Sequence, residues 1–175
     1  MSPEQIEALK VRFSLLETRE SARGEWELFV ADKSLIELLK FLREDEEFEF
    51  VHLADLSAYD EGASPRFHVF YELISMERSE RLRVVVLVDE AKMSIPTVSA
   101  IWSGATWLER EVFDMYGISF DGHKDMRRIL LPPSFVGHPL RKDFVVNYRQ
   151  EFENSKKGEV FDPFGNNIVE GVEPN

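Results

Sequence analysis

Four side chains in the last third of the sequence have the types that bind metal or move protons: His123, Asp125, His138 and Asp143. Zinc accepts imidazole and carboxylate ligands, and a zinc-bound water is a hydrolytic nucleophile. On that chemistry the chain would be a small metal-dependent hydrolase. The spacing argues otherwise. The two histidines share no helical or strand spacing, and each follows a glycine, Gly122 and Gly137. They read first as hydrogen-bonding pieces of an irregular segment. No catalytic, cofactor-binding or metal residue is assigned.

The other chemistry here is charge pairing. Glu109, Arg110, Glu111 and Asp114 fall in a helical stretch. Arg110 and Asp114 are four apart and can pair along it. An isolated helix of this kind reads as a solvated charged face. Arg127, Arg128, Arg141, Lys142 and Asp143 then follow without periodicity, broken by Pro139. A guanidinium is a planar fork that takes a carboxylate two bonds at a time. A stretch mixing such forks with carboxylates, Gly and Pro can hold a fixed irregular shape, or lay its pairs against a partner.

Much else is excluded. No Gly-rich dinucleotide loop, Walker loop, nucleophile elbow or His-Glu-x-x-His helix occurs. There is no Cys among 175 residues, so no thiolate is present for disulfides or ordinary iron–sulfur clusters. The net charge of −12 argues against nucleic acid and against a polybasic membrane contact. Residues 1–108 hold 12 basic and 21 acidic groups, 109–149 hold 7 and 6, and 150–175 hold 2 and 6, so one near-neutral block sits inside an acidic chain. Met1-Ser2-Pro3-Glu4-Gln5 lacks the basic and apolar regions of a signal peptide. The longest apolar run, Val84 to Val88, falls far short of the ~20 residues a membrane helix needs.

The elements that must position these groups follow from periodicity. Ile6, Leu9, Phe13 and Leu16 predict a helix over 3–16, and residues 25–31 a strand. Leu35, Leu38, Leu39 and Leu42 predict a helix over 34–44, capped by Asp32 or Ser34. Strands are expected at 48–57, 66–76 and 81–88, with 59–65 a loop. His52 and His68 lie in these strands as core or edge residues. Ser94 and Pro96 predict a helix near 95–102, and a second helix spans 104–116, stopped by Gly117. Clustered strands predict an α+β domain over 1–117, with a mixed or antiparallel sheet and flanking helices. Residues 118–149 form an irregular, partner-facing segment, and 150–175 a tail with Phe152, Phe161, Phe164 and Ile168 as possible anchors. So long an irregular C-terminal extension should lie on another protein.

The segment 109–144 carries a resemblance. Glu109 to Ile118 (Glu-Arg-Glu-Val-Phe-Asp-Met-Tyr-Gly-Ile), Phe120, Gly122-His123, Asp125, Arg127-Arg128-Ile129-Leu130 and Gly137 to Phe144 (Gly-His-Pro-Leu-Arg-Lys-Asp-Phe) together resemble the signature of the 30 kDa subunit family of respiratory complex I, which includes the C subunit of the bacterial enzyme. Lys124, Met126 and Val145 depart from the usual Pro, Leu and Pro.

The resemblance implies a cofactor-free peripheral-arm subunit of a proton-translocating NADH:quinone oxidoreductase, with FMN and iron–sulfur clusters on partner subunits. It implies packing on the large quinone-site subunit, a place on the cytoplasmic face of the inner membrane, and membrane association only through partners. The signature charges would then be interface and internal pairs. On this basis Arg141→Ala is expected to lower the assembled complex while leaving the domain's melting temperature nearly unchanged. The alternatives are the same module in a membrane-bound hydrogenase-type complex, the metal-dependent hydrolase, and an acidic binding module unrelated to respiration.

Overall fold

A computed structural model of the chain describes residues 1–22 and 24–145. The expected tail, 150–175, with its four anchors, lies outside the described residues, as do positions 146–149 of the signature segment.

Helix α1 (Pro3–Phe13) begins at Ser2, whose hydroxyl accepts from the Gln5 N–H while the Gln5 side chain accepts from the Ser2 N–H. This reciprocal pair satisfies donors that the first turn otherwise leaves open. The helix ends earlier than its apolar spacing predicts. Ser14 adopts a left-handed conformation, and Leu16 is exposed. The chain then forms an unexpected strand, β1 (Glu17–Glu20), antiparallel to β2 (Trp26–Val30). Glu-Thr-Arg-Glu shows no apolar alternation because it is a sheet edge, where charge is tolerated and even protective.

Helix α2 (Asp32–Glu44) buries Leu35, Leu38, Leu39 and Leu42. Its cap position is Ala31, with no side-chain cap, so neither Asp32 nor Ser34 has the expected role. Strands β3 (His52–Asp60), β4 (Phe67–Ser75) and β5 (Glu80–Val88) complete a five-stranded sheet in the order β1-β2-β5-β4-β3. β2 runs parallel to β5 and every other pair is antiparallel, so the sheet is mixed. The first of these strands starts later than expected. Phe48 and Phe50 are buried at the turn that follows α2, with Phe48 against Phe41.

The expected helix at 95–102 does not form. Ser94–Pro96 is a short strand, β6, parallel to β7 (Ser119–Asp121) inside the segment expected to be irregular. Tertiary pairing decides it: the Ser94 hydroxyl donates to Asp121, and Ile95 is buried against the core. Helix α3 (Ala105–Tyr116) follows and packs on β3, and Gly117 ends it in the left-handed conformation, as predicted. Ile118 and Phe120, just past the boundary expected at 117, belong to the same core.

Candidate docking segment and its clamp on helix three

A helix leaves its last carbonyls without intrahelical partners and its C-terminus partly negative. In α3 the segment after β7 supplies what is missing. His138 Nδ1 bonds to the Asp114 carbonyl at 3.0 Å, the Leu140 N–H donates to Met115 at 3.2 Å, and Arg141 Nε donates to Tyr116 at 2.5 Å. Burial pushes the His138 imidazole down, reinforced by Arg141 and Arg128 and opposed by its bond to Asp114. Gly117 makes this close approach possible. Its φ is +72°, and a Cβ there would lie 2.5 Å from both Arg141 Nη2 and His138 Nε2.

Asp114 is the centre of the clamp. Its carboxylate is fully buried. It accepts from Arg128 Nη1 at 2.6 Å and from the backbone N–H groups of Ile129, Leu130 and Leu131 at 3.0, 2.8 and 2.9 Å. Burial alone would raise this carboxyl. The three N–H groups and the guanidinium outweigh it and hold the group below its ordinary value. Arg128 also donates to the Gly137 carbonyl, tying the two halves of the segment together.

The expected Arg110–Asp114 pair along the helix is therefore absent. Arg110 instead donates to the carbonyls of Arg127 and Arg128. The solvated-face picture also fails for Glu109, which is fully buried and accepts from the Val98 N–H and the Thr97 hydroxyl. Glu111 is exposed, and Asp125 pairs with Arg127 at the surface.

The far end of the segment is fixed to the β3–β4 loop. Asp60 accepts both forks of Arg66, the Gly62 N–H and the Lys142 N–H. Arg66 also reaches Asp143, and Lys142 Nζ donates to the Glu61 carbonyl. The Arg66 bonds hold Asp60 well below the usual carboxylate range against its burial, with help from the Lys142 and Gly62 N–H groups. Sequence reasoning passes over Asp60 and Arg66. The one available signal is their position on either side of a Gly-Ala-Ser-Pro loop.

The four residues drawn as a metal site do not converge. His123 Nε2 faces the Thr106 carbonyl at the start of α3, while His138 lies at the Asp114 end. Eight helical residues, about 12 Å of rise, separate those carbonyls. Among the described residues no group of three or more ligand-type side chains could hold a metal ion.

The sequence model of a family described as respiratory-chain NADH dehydrogenase, 30 Kd subunit, matches residues 28–150. The chain belongs to that family. Its curated relatives are named as the C subunit of NADH-quinone oxidoreductase. The one from Brucella ovis is 43% identical over 151 residues, covering 85% of this chain and 74% of the relative. The one from Bartonella bacilliformis is 42% identical over 149 residues, covering 82% and 72%. Among solved structures, the trypsin-resistant fragment of Nqo5 is 29% identical with a TM-score of 0.61, covering 70% of this chain and 96% of that one. A chain of the membrane-bound sulfane sulfur reductase, an archaeal respiratory membrane complex, has a TM-score of 0.67 at 23% identity, covering 87% and 97%, and shares the fold.

In this member of the 30 kDa subunit family, the signature charges mostly close on the chain itself. Beside the exposed Lys124, Arg127, Lys142 and Asp143, the segment turns large apolar side chains outward: Leu130, Val136, Leu140 and Val145 are each more than half exposed, as is Trp107 on α3. Large apolar side chains gathered in one stretch mark an interaction surface when they form a contiguous patch.

Proposed function

We propose that this chain is a docking subunit that carries no cofactor of its own, and that the outer side of residues 124–145 packs on the large subunit that helps form the quinone cavity. The chain is a subunit of NADH-quinone oxidoreductase, the assembly that transfers electrons from NADH to quinone. Iron–sulfur clusters then belong to its partners, since this chain offers no thiolate, and the FMN is assigned to them with the clusters. Its place is peripheral, at the cytoplasmic face of the inner membrane, reached through partner subunits. No helix among the described residues is long and apolar enough to cross a membrane.

The observation that carries the docking reading is that Arg128, Arg141 and Lys142 engage α3 and the β3–β4 loop, while Leu130, Val136, Leu140 and Val145 are left exposed. A photo-crosslinking residue at Val136 or Leu140, activated in native membranes, tests it. Crosslinks to the large quinone-site subunit are expected. Crosslinks only to lipid or to other subunits would overturn the assignment of this face.

A further inference from the structure

Helix α3 buries a carboxylate that the docking role does not use. Glu109 lies on the helix's buried stripe with Ala105, Val112 and Tyr116. Its Oε1 accepts from the Val98 N–H at 2.7 Å and its Oε2 from the Thr97 hydroxyl at 2.6 Å. The Thr97 hydroxyl is in turn 2.8 Å from the Ser99 hydroxyl. No Lys or Arg among the described residues pairs with Glu109.

Two titratable groups face it from other elements. His123, in the turn after β7, has its Nε2 at 3.9 Å, and the side chain is buried. His123 Nδ1 accepts from the Asp125 N–H, so Nε2 carries the ring hydrogen and directs it to the Thr106 carbonyl rather than to Glu109. Tyr71 on β4 is fully buried, and its hydroxyl has no hydrogen-bond partner among the described residues. Burial first, and the Glu109 charge second, push its phenol up.

A buried carboxylate without a cation is costly to ionise, and a neutral acid is the alternative. The neutral form fits the same cradle. The Val98 N–H still donates to Oε1, while the acid O–H donates to Thr97 and the Thr97 hydroxyl turns to Ser99. We propose that Glu109, the Val98 N–H, Thr97 and Ser99 form a buried proton-sensitive latch between α3 and the turn after β6, and that the folded chain is more stable with Glu109 protonated than with it ionised. The Thr97 N–H donates to the Asp121 carbonyl, so the latch is joined to the 121–125 turn, the root of the docking segment. Burial raises the Glu109 carboxyl, while its bonds to Thr97 and Val98 and the nearby His123 work against the rise. A raised folded-state value means that the native chain binds a proton the unfolded chain has lost. Stability from this group is complete below the ordinary value of 4.5 and declines as pH rises through the folded value.

The test uses the full chain and E109Q, whose amide stands for the neutral acid. Contributions from other titrating groups largely cancel in the difference between the two melting temperatures. That difference, variant minus wild type, should climb with pH by roughly 3–5 °C per unit while Glu109 titrates, then level off. A difference that is flat or falls with pH overturns the latch. Should E109Q not fold, the Val98 amide proton of the wild type decides by NMR titration. A midpoint above the ordinary glutamate value is expected, and a lower midpoint or no titration overturns the proposal.

Discussion

The Asp114 carboxylate gathers four donors in a site closed to water. Asp114→Ala leaves three N–H groups without an acceptor and the Arg128 guanidinium without its counter-charge, a loss of about 3–5 kcal/mol. Chemical denaturation of the variant against wild type measures it. Asp60 and Asp114 also make an acid limb. Both are held below the ordinary aspartate value of 3.8, so their stabilisation is present above that value and is lost as pH falls through the lower folded values. Asp60→Asn should flatten the fall in stability below about pH 4, and a limb as steep as wild type would refute the role of Asp60. The identities of these charged residues were plain in the sequence, but their partners were not. Arg110 and Asp114 have the spacing of a helical pair, yet Asp114 faces inward and Arg110 outward. One clue was legible: Glu109 falls on the stripe of Ala105, Val112 and Tyr116, a carboxylate at a core position.

At the scale of elements, the C-terminus of α3 is where the segment takes its shape. Gly117→Ala must hold a left-handed φ and push away Arg141 and His138, so it costs the ~1–2 kcal/mol of that conformation and loosens the clamp as well. Limited proteolysis should then cut 125–145 sooner in the variant. Arg141 changes standing for the same reason. Sequence reasoning places it at a partner, leaving the domain's melting temperature unmoved. The structure has it donating to the Tyr116 carbonyl and lying over the Phe67 ring. Arg141→Ala in the isolated chain should therefore lose about 1.5–3 kcal/mol, read from the melting curve, and an unchanged curve would restore the partner role. Long periodic elements were legible, namely α2, α3, β4 and β5, because each repeats its apolar residues against one core. β1, β6 and β7 were not. Each is three or four residues long, and what makes it a strand is a neighbour distant in sequence.

For the whole molecule, the α+β class and mixed sheet could be read from strand clustering, and the family from the density of its signature. The inward direction of the signature could not, because exposure depends on how the segment folds back over α3 and the β3–β4 loop. The result is a domain whose irregular segment is clamped by charge and leaves Leu130, Val136, Leu140 and Val145 exposed. Affinity capture of the tagged full chain from its native membranes in mild detergent, with the co-purifying proteins identified by mass, tests whether it is a subunit of this assembly. Flavin- and cluster-bearing subunits with NADH:quinone activity are expected. Recovery of the chain alone, or with hydrogenase subunits in their place, would contradict the account.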